Sequence, residues 1–334
     1  MHHGVTVRAR TPASSANLGP GFDSMALALN LHDEVSVEAY RPGPGEPTVV
    51  IEVSGQGKDG VPLTEDHLVV RSLRAGLAHA VALGAGPAEP PGLRLTCHNA
   101  IPHGRGLGSS AAAIAVGLVL ARGLLVEPHR LDEETVLALA TAAEGHPDNA
   151  SAALYGGCTL SWTDSAARGA ASPPAGRAIV PRAHTVSLPV APSVRAVVCV
   201  PDAELATSTA RAMLPQLVPH ADAAFNAARS ALLVHALTRR PDLLFAATED
   251  RLHQDQRAPA MPATADLLRA VRARGAAAVV SGAGPSVLVL GEGEAPLVAV
   301  RSALRDLAAR DPGISDGAWL VLPLPVDTTG TVLL

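Results

Sequence analysis

The chain has 334 residues, 48% of them apolar and 17% charged, with a formal net charge of −5. That length favours two domains and a sizeable core, and the apolar excess rules out a disordered chain. With two Trp, two Tyr and three Phe, and no run of cationic residues, it offers neither a stacking platform nor a basic field for nucleic acid, so small-molecule chemistry is the expectation.

Met1 to Arg10 carries no apolar signal segment, and His2 and His3 read as exposed terminal residues rather than a metal site. Val5–Arg10, Glu34–Ala39 and Val49–Ser54 alternate apolar and polar residues between Pro/Gly clusters, which predicts short antiparallel strands with one wet face. The only lysine, Lys58, sits in Gly57-Lys58-Asp59 and does not fit a phosphate loop ending in Gly-Lys-Ser/Thr. Apolar residues recur at helical spacing from Asp66 to Leu83, a strand is predicted at Leu93–Cys97, and a nearly all-apolar helix at Ala111–Leu125. The longest apolar run, Ala111–Ala121, is well short of the ~20 residues that span a bilayer, so no membrane role and a cytoplasmic location are expected. A further helix runs from Asp132 to Ala143, stopped by Gly145 and Pro147. Ser165–Arg182, rich in Ala, Gly, Pro and Ser, predicts an exposed connection. The division expected is an N-terminal domain at 1–164, a connection at 165–183 and a C-terminal domain at 184–334. The second half shows strands at Ala196–Val200, Ala277–Ser281 and Ser286–Leu290, helices near Ala221–Thr238 and Ala263–Arg274, and a last helix and strand. Without regular βα alternation the class is α+β. Cys97, Cys158 and Cys199 are far apart and odd in number, and read as small buried hydrophobes of a reducing compartment.

The loop Gly104-Arg105-Gly106-Leu107-Gly108-Ser109-Ser110 opens the apolar helix, and its alternate glycines let several backbone N–H groups point at one anion. A Cβ there would hold a phosphate away from the backbone, the helix N-terminus adds partial positive charge, and the serines can cap the helix or ligate Mg²⁺. A dinucleotide loop fits less well: after Gly104-x-Gly106 its third glycine would fall at Ser109, and Glu127, at the distance of the expected acidic residue, precedes Pro128 in a loop.

Pro102-x-x-x-Gly106-Leu107-Gly108-Ser109-Ser110-Ala111-Ala112 resembles the ATP-binding motif of the GHMP small-molecule kinases. Two further segments agree, Pro12-Ala13-Ser14-Ser15-Ala16-Asn17-Leu18-Gly19-Pro20-Gly21-Phe22-Asp23 and Ser281-Gly282-Ala283-Gly284-Pro285-Ser286. In place of the Gly-Glu-His of sugar and mevalonate kinases stands Asn17-Leu18-Gly19-Pro20-Gly21-Phe22-Asp23, which, with Glu144-Gly145-His146-Pro147-Asp148-Asn149, resembles the branch of the superfamily that phosphorylates L-homoserine. The resemblance implies a two-domain GHMP fold: a mixed α/β N-terminal domain with a left-handed crossover, a ferredoxin-like C-terminal domain, and the active site between them.

It also implies roles. ATP would lie against Pro102, Gly104, Gly106, Leu107, Gly108, Ser109, Ser110 and Ala111, with Ser110 and Glu144 holding Mg²⁺ through hard oxygen ligands. Homoserine presents an ammonium, a carboxylate and a hydroxyl. Asp23 and Asp148 resemble the ammonium side, Asn17 and Asn149 can hydrogen-bond the substrate, and Arg211, assisted by Thr207, and Arg257 would oppose them at the carboxylate. Asn149 stands where many relatives have an Asp base, and His146 fits an orienting role better than that of a base, so direct attack on the γ-phosphate is expected, with the proton passing to phosphate. Two departures are plain: Asp255-Gln256 where the family has Pro-Tyr, and His67 where an adenine-contacting Asn is usual. The rivals are a GHMP kinase for a different alcohol and an inactive ligand-binding member. The oligomeric state is left open, a homodimer included.

Overall fold

A computed structural model describes residues 4–87, 89–164, 182–310 and 318–334. β1 (Thr6–Ala16) and β2 (Met25–Tyr40) run antiparallel side by side, with a register shift at Pro12/Ala13. With β3 (Val49–Gly55), β4 (Gly92–Asn99), β5 (Cys158–Thr163), β6 (Ala183–Leu188) and β11 (Val332–Leu333) they build one seven-stranded sheet, in which β5 pairs with both β2 and β6. Its helices are α1 (Leu68–Ala82), α2 (Ser109–Leu124), α3 (Glu133–Glu144) and α4 (Asp148–Tyr155). The second half holds β7 (Val194–Pro201), α5 (Thr207–Ala212), α6 (His220–Thr238), α7 (Leu244–Ala247), α8 (Gln254–Arg257), α9 (Pro262–Arg272), β8 (Ala277–Val280), β9 (Val287–Glu292), α10 (Ala295–Arg310) and β10 (Trp319–Leu324). Its four strands lie antiparallel in the order β10-β7-β9-β8. Strand, helices, strand, strand, helix, strand in that order is the ferredoxin-like arrangement.

Two expectations need correcting. The strand near residue 50 is not antiparallel: β3 runs parallel to β4, with α1 as the crossover between them. β1 and β2 are long rather than short, and β2 begins at Met25. Its first five residues are all buried because both faces are covered, which removes the two-residue alternation that marks a half-wet strand. The expected connection falls largely on residues 165–181, outside the described residues, while β6 just beyond it pairs into the first sheet.

α2 is the axis of the first half. Its side chains from Ala111 to Ala121 are nearly all buried, packed between the sheet and helices α1 and α3, so no polar stripe is left for periodicity to show. A second core runs across both halves: Leu18, Met25, Leu27, Ile101 and Leu107 pack with Val198, Leu233, Val279 and Leu288. Apolar burial of this kind fixes one half against the other. Cys97, Cys158 and Cys199 are buried and free, and burial pushes each thiol up to about 12, which makes them inert packing residues. Among the described residues no helix is long and apolar enough to cross a membrane.

Candidate active site

The three sequence motifs converge. The backbone of Ser14 donates to Leu107 O at 3.0 Å, and Gly282 N donates to Ala16 O at 3.1 Å. Ser281 Oγ donates to Gly106 O at 2.6 Å and lies in hydrogen-bond contact with Ser15 Oγ at 2.8 Å, so the third motif bridges the first two. Asn17, Leu18 and Asp23, with φ of 70°, 48° and 53°, are the non-glycine residues with positive φ among those described, and all lie in the first motif. Such strain persists only where the surroundings over-determine it, and it concentrates at functional sites. Here the Asn17 amide is engaged twice, accepting from Asp23 N at 3.0 Å and donating to Gly282 O at 2.8 Å.

Between the motifs lies a cavity of about 220 Å³ that Asn17, Asp23, Gly104, Gly106, Gly108, Ser109, Ser110, Glu144, His146, Asp148, Asn149, Thr207, Arg211 and Arg257 line. Pro102, Leu107 and Ala111 do not line it; they are buried and hold the loop from behind. A second cavity, of about 240 Å³, shares Ser109 and Ser110 and has walls from Val35, Val61, Pro62, Leu68 and Val116. Mostly apolar walls with a few polar groups suit a nucleobase. His67 lies there, 5% exposed, with Nδ1 unpartnered, and burial lowers its pKa, so the imidazole is neutral.

The glycine loop has a packing reason for its glycines as well. Gly106 and Gly108 adopt φ of 72° and 68°, and a Cβ on Gly106 would overlap Ser281 O, while one on Gly108 would overlap Ser14 Oγ. Packing of the loop against the other two motifs in a left-handed conformation therefore requires glycine at both positions by itself. Nor do the serines cap α2. The N-cap is Gly108 and no side chain caps the first turn, which leaves the helix N-terminus to an anion.

Ser110 Oγ donates to Glu144 Oε2 at 2.9 Å. Glu144 ends α3, where Gly145 turns the chain in the left-handed region, and burial raises its pKa against the lowering effect of Ser110. Asn149 Oδ1 accepts from Ser14 Oγ at 2.8 Å, which directs its NH₂ elsewhere; Ser14 is a site residue that the sequence reading did not single out. Asp148 is 1% exposed, and its Oδ1 takes both Asn149 N at 2.7 Å and His146 Nδ1 at 2.8 Å. That hydrogen bond raises the His146 pKa, favouring the imidazolium, which is a donor rather than a base.

The expected opposition of acidic and basic residues is not what forms. Arg211 Nη2 and Nη1 donate to Asp23 Oδ1 and Oδ2 at 2.9 and 3.2 Å, a fork across 188 residues of sequence. Arg257 is 2% exposed, gives Nη1 to His253 Nδ1 and Gly282 O, both at 3.2 Å, and has an unpartnered Nε. Burial lowers its pKa, yet a guanidinium stays charged, so the cavity contains a cation that makes no salt bridge among the described residues. Phe22, also unanticipated, lies 5.4 Å from the Arg257 guanidinium and 5.9 Å from that of Arg211.

The family models of the GHMP kinases N terminal domain and the GHMP kinases C terminal domain match residues 67–157 and 227–309. The chain is 48% identical to the homoserine kinase of Streptomyces coelicolor, with 96% of each chain covered. It is likewise 48% identical to that of Rhodococcus erythropolis, over 94% of this chain and 95% of the relative. The chain belongs to the GHMP kinases, in the homoserine kinase family. Its fold matches a homoserine kinase crystal structure from Cytophaga hutchinsonii with a TM-score of 0.77, at 24% identity over 100% of this chain and 99% of that one. A putative homoserine kinase from Listeria monocytogenes gives 0.67 at 26% identity, over 98% of this chain and 99% of that one. GHMP kinases use ATP, and the two cavities share Ser109 and Ser110 as a common boundary.

Proposed function

We propose that this chain transfers the γ-phosphoryl group of ATP to the hydroxyl of L-homoserine, giving O-phospho-L-homoserine for threonine synthesis in the cytoplasm. The observation that carries the choice of acceptor is the Asp23–Arg211 pair beside the buried Arg257, whose side-chain hydrogen bonds go to His253 and Gly282 O. A zwitterion exchanges that one ion pair for two, its ammonium taking Asp23 and its carboxylate taking Arg211 and Arg257. A sugar would leave the pair intact and bring Arg257 no carboxylate, and a simple hydroxy acid would strand Asp23.

Phosphoryl transfer needs positioning and charge neutralisation more than covalent help. The uncapped N-terminus of α2 and the backbone of 104–110 receive phosphate oxygens. Ser110 Oγ and the Glu144 carboxylate, hydrogen-bonded to each other at the cavity wall, are hard oxygen donors of the kind Mg²⁺ takes while keeping its waters and substrate phosphates. Bound there, Mg²⁺ supplies neutralisation of charge on the β- and γ-phosphates. Asn149, fixed by Ser14, donates its NH₂ towards the acceptor hydroxyl and orients it, leaving a lone pair free for attack, while His146, held by Asp148, lines the same cavity. The hydroxyl oxygen attacks the γ-phosphorus, the bond from phosphorus to the bridging oxygen of ADP breaks, and the hydroxyl proton passes to the transferred phosphate. The test is a panel of alcohols with Mg-ATP, read by coupled ADP release and by phosphorus NMR of the product. Homoserine should be the preferred acceptor; faster turnover of mevalonate or galactose, or none with any alcohol, overturns the reading.

A further inference from the structure

Arg105 sits inside the glycine loop, yet its side chain works away from the loop's anion-binding backbone. Its Nε donates to Pro201 O at 2.9 Å and its Nη2 to Asp202 O at 2.8 Å. Nη1 donates to Glu204 Oε1 at 3.1 Å and back to His103 O at 3.0 Å. Three of these bonds end on 201–204, the arm between β7 and α5. Beside them Leu205 N donates to Gly104 O at 2.9 Å, and the Glu204 side chain lies over Gly104. The arm ends in α5, which begins at Thr207 and carries Arg211, both lining the acceptor cavity.

Asp202 to Glu204 and Ala206 to Thr209 are exposed, so apolar burial does not fix the arm. Arg105 and Gly104 supply hydrogen bonds that join it to the N-terminal half. Of the Arg105–Glu204 ion pair, the arginine is 19% exposed and the glutamate 66%. An ion pair so open to water contributes little, whereas the planar guanidinium fork on two successive carbonyls sets the arm's direction. We propose that Arg105 is a positioning residue that couples the nucleotide loop to the acceptor arm, so that nucleotide in the loop and homoserine on Arg211 bind interdependently. Phosphates ordering 104–110 also order Arg105, and through it the arm; the acceptor then meets an arm already set. By linkage the effect is reciprocal. The inference rests on the homoserine kinase reading given above.

Calorimetry of homoserine with and without a non-hydrolysable ATP analogue and Mg²⁺ tests it, on wild type, Arg105→Ala, Arg105→Lys and Leu205→Pro, the last removing the backbone tie. Wild type should bind homoserine more tightly when the analogue is present, by about fivefold or more. In Arg105→Ala that ratio should fall towards one, and because the coupling is reciprocal the KM for homoserine and the KM for ATP, each measured with the other substrate saturating, should both rise about fivefold or more. Leu205→Pro should show the same pattern, and Arg105→Lys, which cannot fork, an intermediate one. A purely structural role would lower the melting temperature and kcat while leaving the ratio intact, and that result overturns the proposal. So does a loss confined to the ATP KM, or a wild-type enzyme that phosphorylates homoserine but shows no dependence on the analogue. A wild type that does not phosphorylate homoserine at all overturns the reading beneath it instead.

Discussion

Replacing Arg211 by alanine separates its two partners, Asp23 in the substrate-free enzyme and the carboxylate of homoserine in the complex. The pair with Asp23 is 44% exposed on the arginine and 33% on the aspartate, so its loss should cost stability no more than ~1 kcal/mol. A forked, charge-assisted bond to a substrate carboxylate is worth about 2–4 kcal/mol when one partner is removed. The wild type gives up the Asp23 pair to make it, so the net loss on mutation is about 1–3 kcal/mol, or roughly 5- to 150-fold in kcat/KM. The assay compares homoserine with 3-aminopropan-1-ol, the same amino alcohol without the carboxylate, in wild type and mutant. The analogue should already be poor for wild type and lose little more, which closes a cycle between side chain and substrate group. Equal losses on both acceptors, or a large drop in melting temperature, would place Arg211 in the fold or on the nucleotide and remove the physical case for a zwitterionic substrate.

Glu144→Gln should lower kcat by about 10²-fold or more, on the order of 3 kcal/mol of charge stabilisation, with the fold intact; unchanged turnover at saturating Mg-ATP would remove Glu144 from the metal site. Gly108→Ala should lose roughly 1–3 kcal/mol of stability as well as activity, because alanine must take φ +68° and its Cβ displaces Ser14 from Asn149; a normal melt with weakened ATP binding would instead favour a direct clash with phosphate. Asp33, 6% exposed and accepting from Ala100 N and Ile101 N at 2.7 and 2.9 Å, has its pKa pushed up by burial to about 6. Between about pH 4 and 6 the unfolded chain has released this proton while the folded chain keeps it, so stability falls as pH rises through that window, by on the order of 3 kcal/mol, and is flat above it. Relative to wild type, Asp33→Asn should therefore melt higher at pH 7.5 than at pH 4.5; a difference independent of pH refutes the shift.

The three glycine- and serine-bearing motifs were legible because each demands unusual residue types within a dozen positions, and the structure brings all three to one cavity. What they touch was not legible. Gly106 and Gly108 show in sequence that the backbone is special, but whether a ligand or Ser281 and Ser14 occupies the space beside them depends on segments more than 90 residues away. Asp23 and Arg211 were both recognised as charged groups of the site, and no local pattern says that they pair with each other. Ser14 and Asp33 sit on strands among ordinary small or alternating residues, so only the partners they meet in space mark them. The buried first turn of β2 was missed for the opposite reason: covered on both sides, it carries no alternation at all.

The strain in the first motif explains why the site is built at the junction of two halves rather than within one. A left-handed non-glycine residue costs about 1–2 kcal/mol, and Asn17, Leu18 and Asp23 together need something rigid to hold them. Leu18, fully buried, is gripped by the core shared between the halves, and Asn17 is braced between Asp23 N on one side and Gly282 O on the other. Gly282 O also accepts from Arg257. One carbonyl of the C-terminal half therefore braces both Asp23, through Asn17, and the buried Arg257. That carbonyl ties the two charged groups of the cavity to one point, and in this structure Asn17 acts as a brace for Asp23.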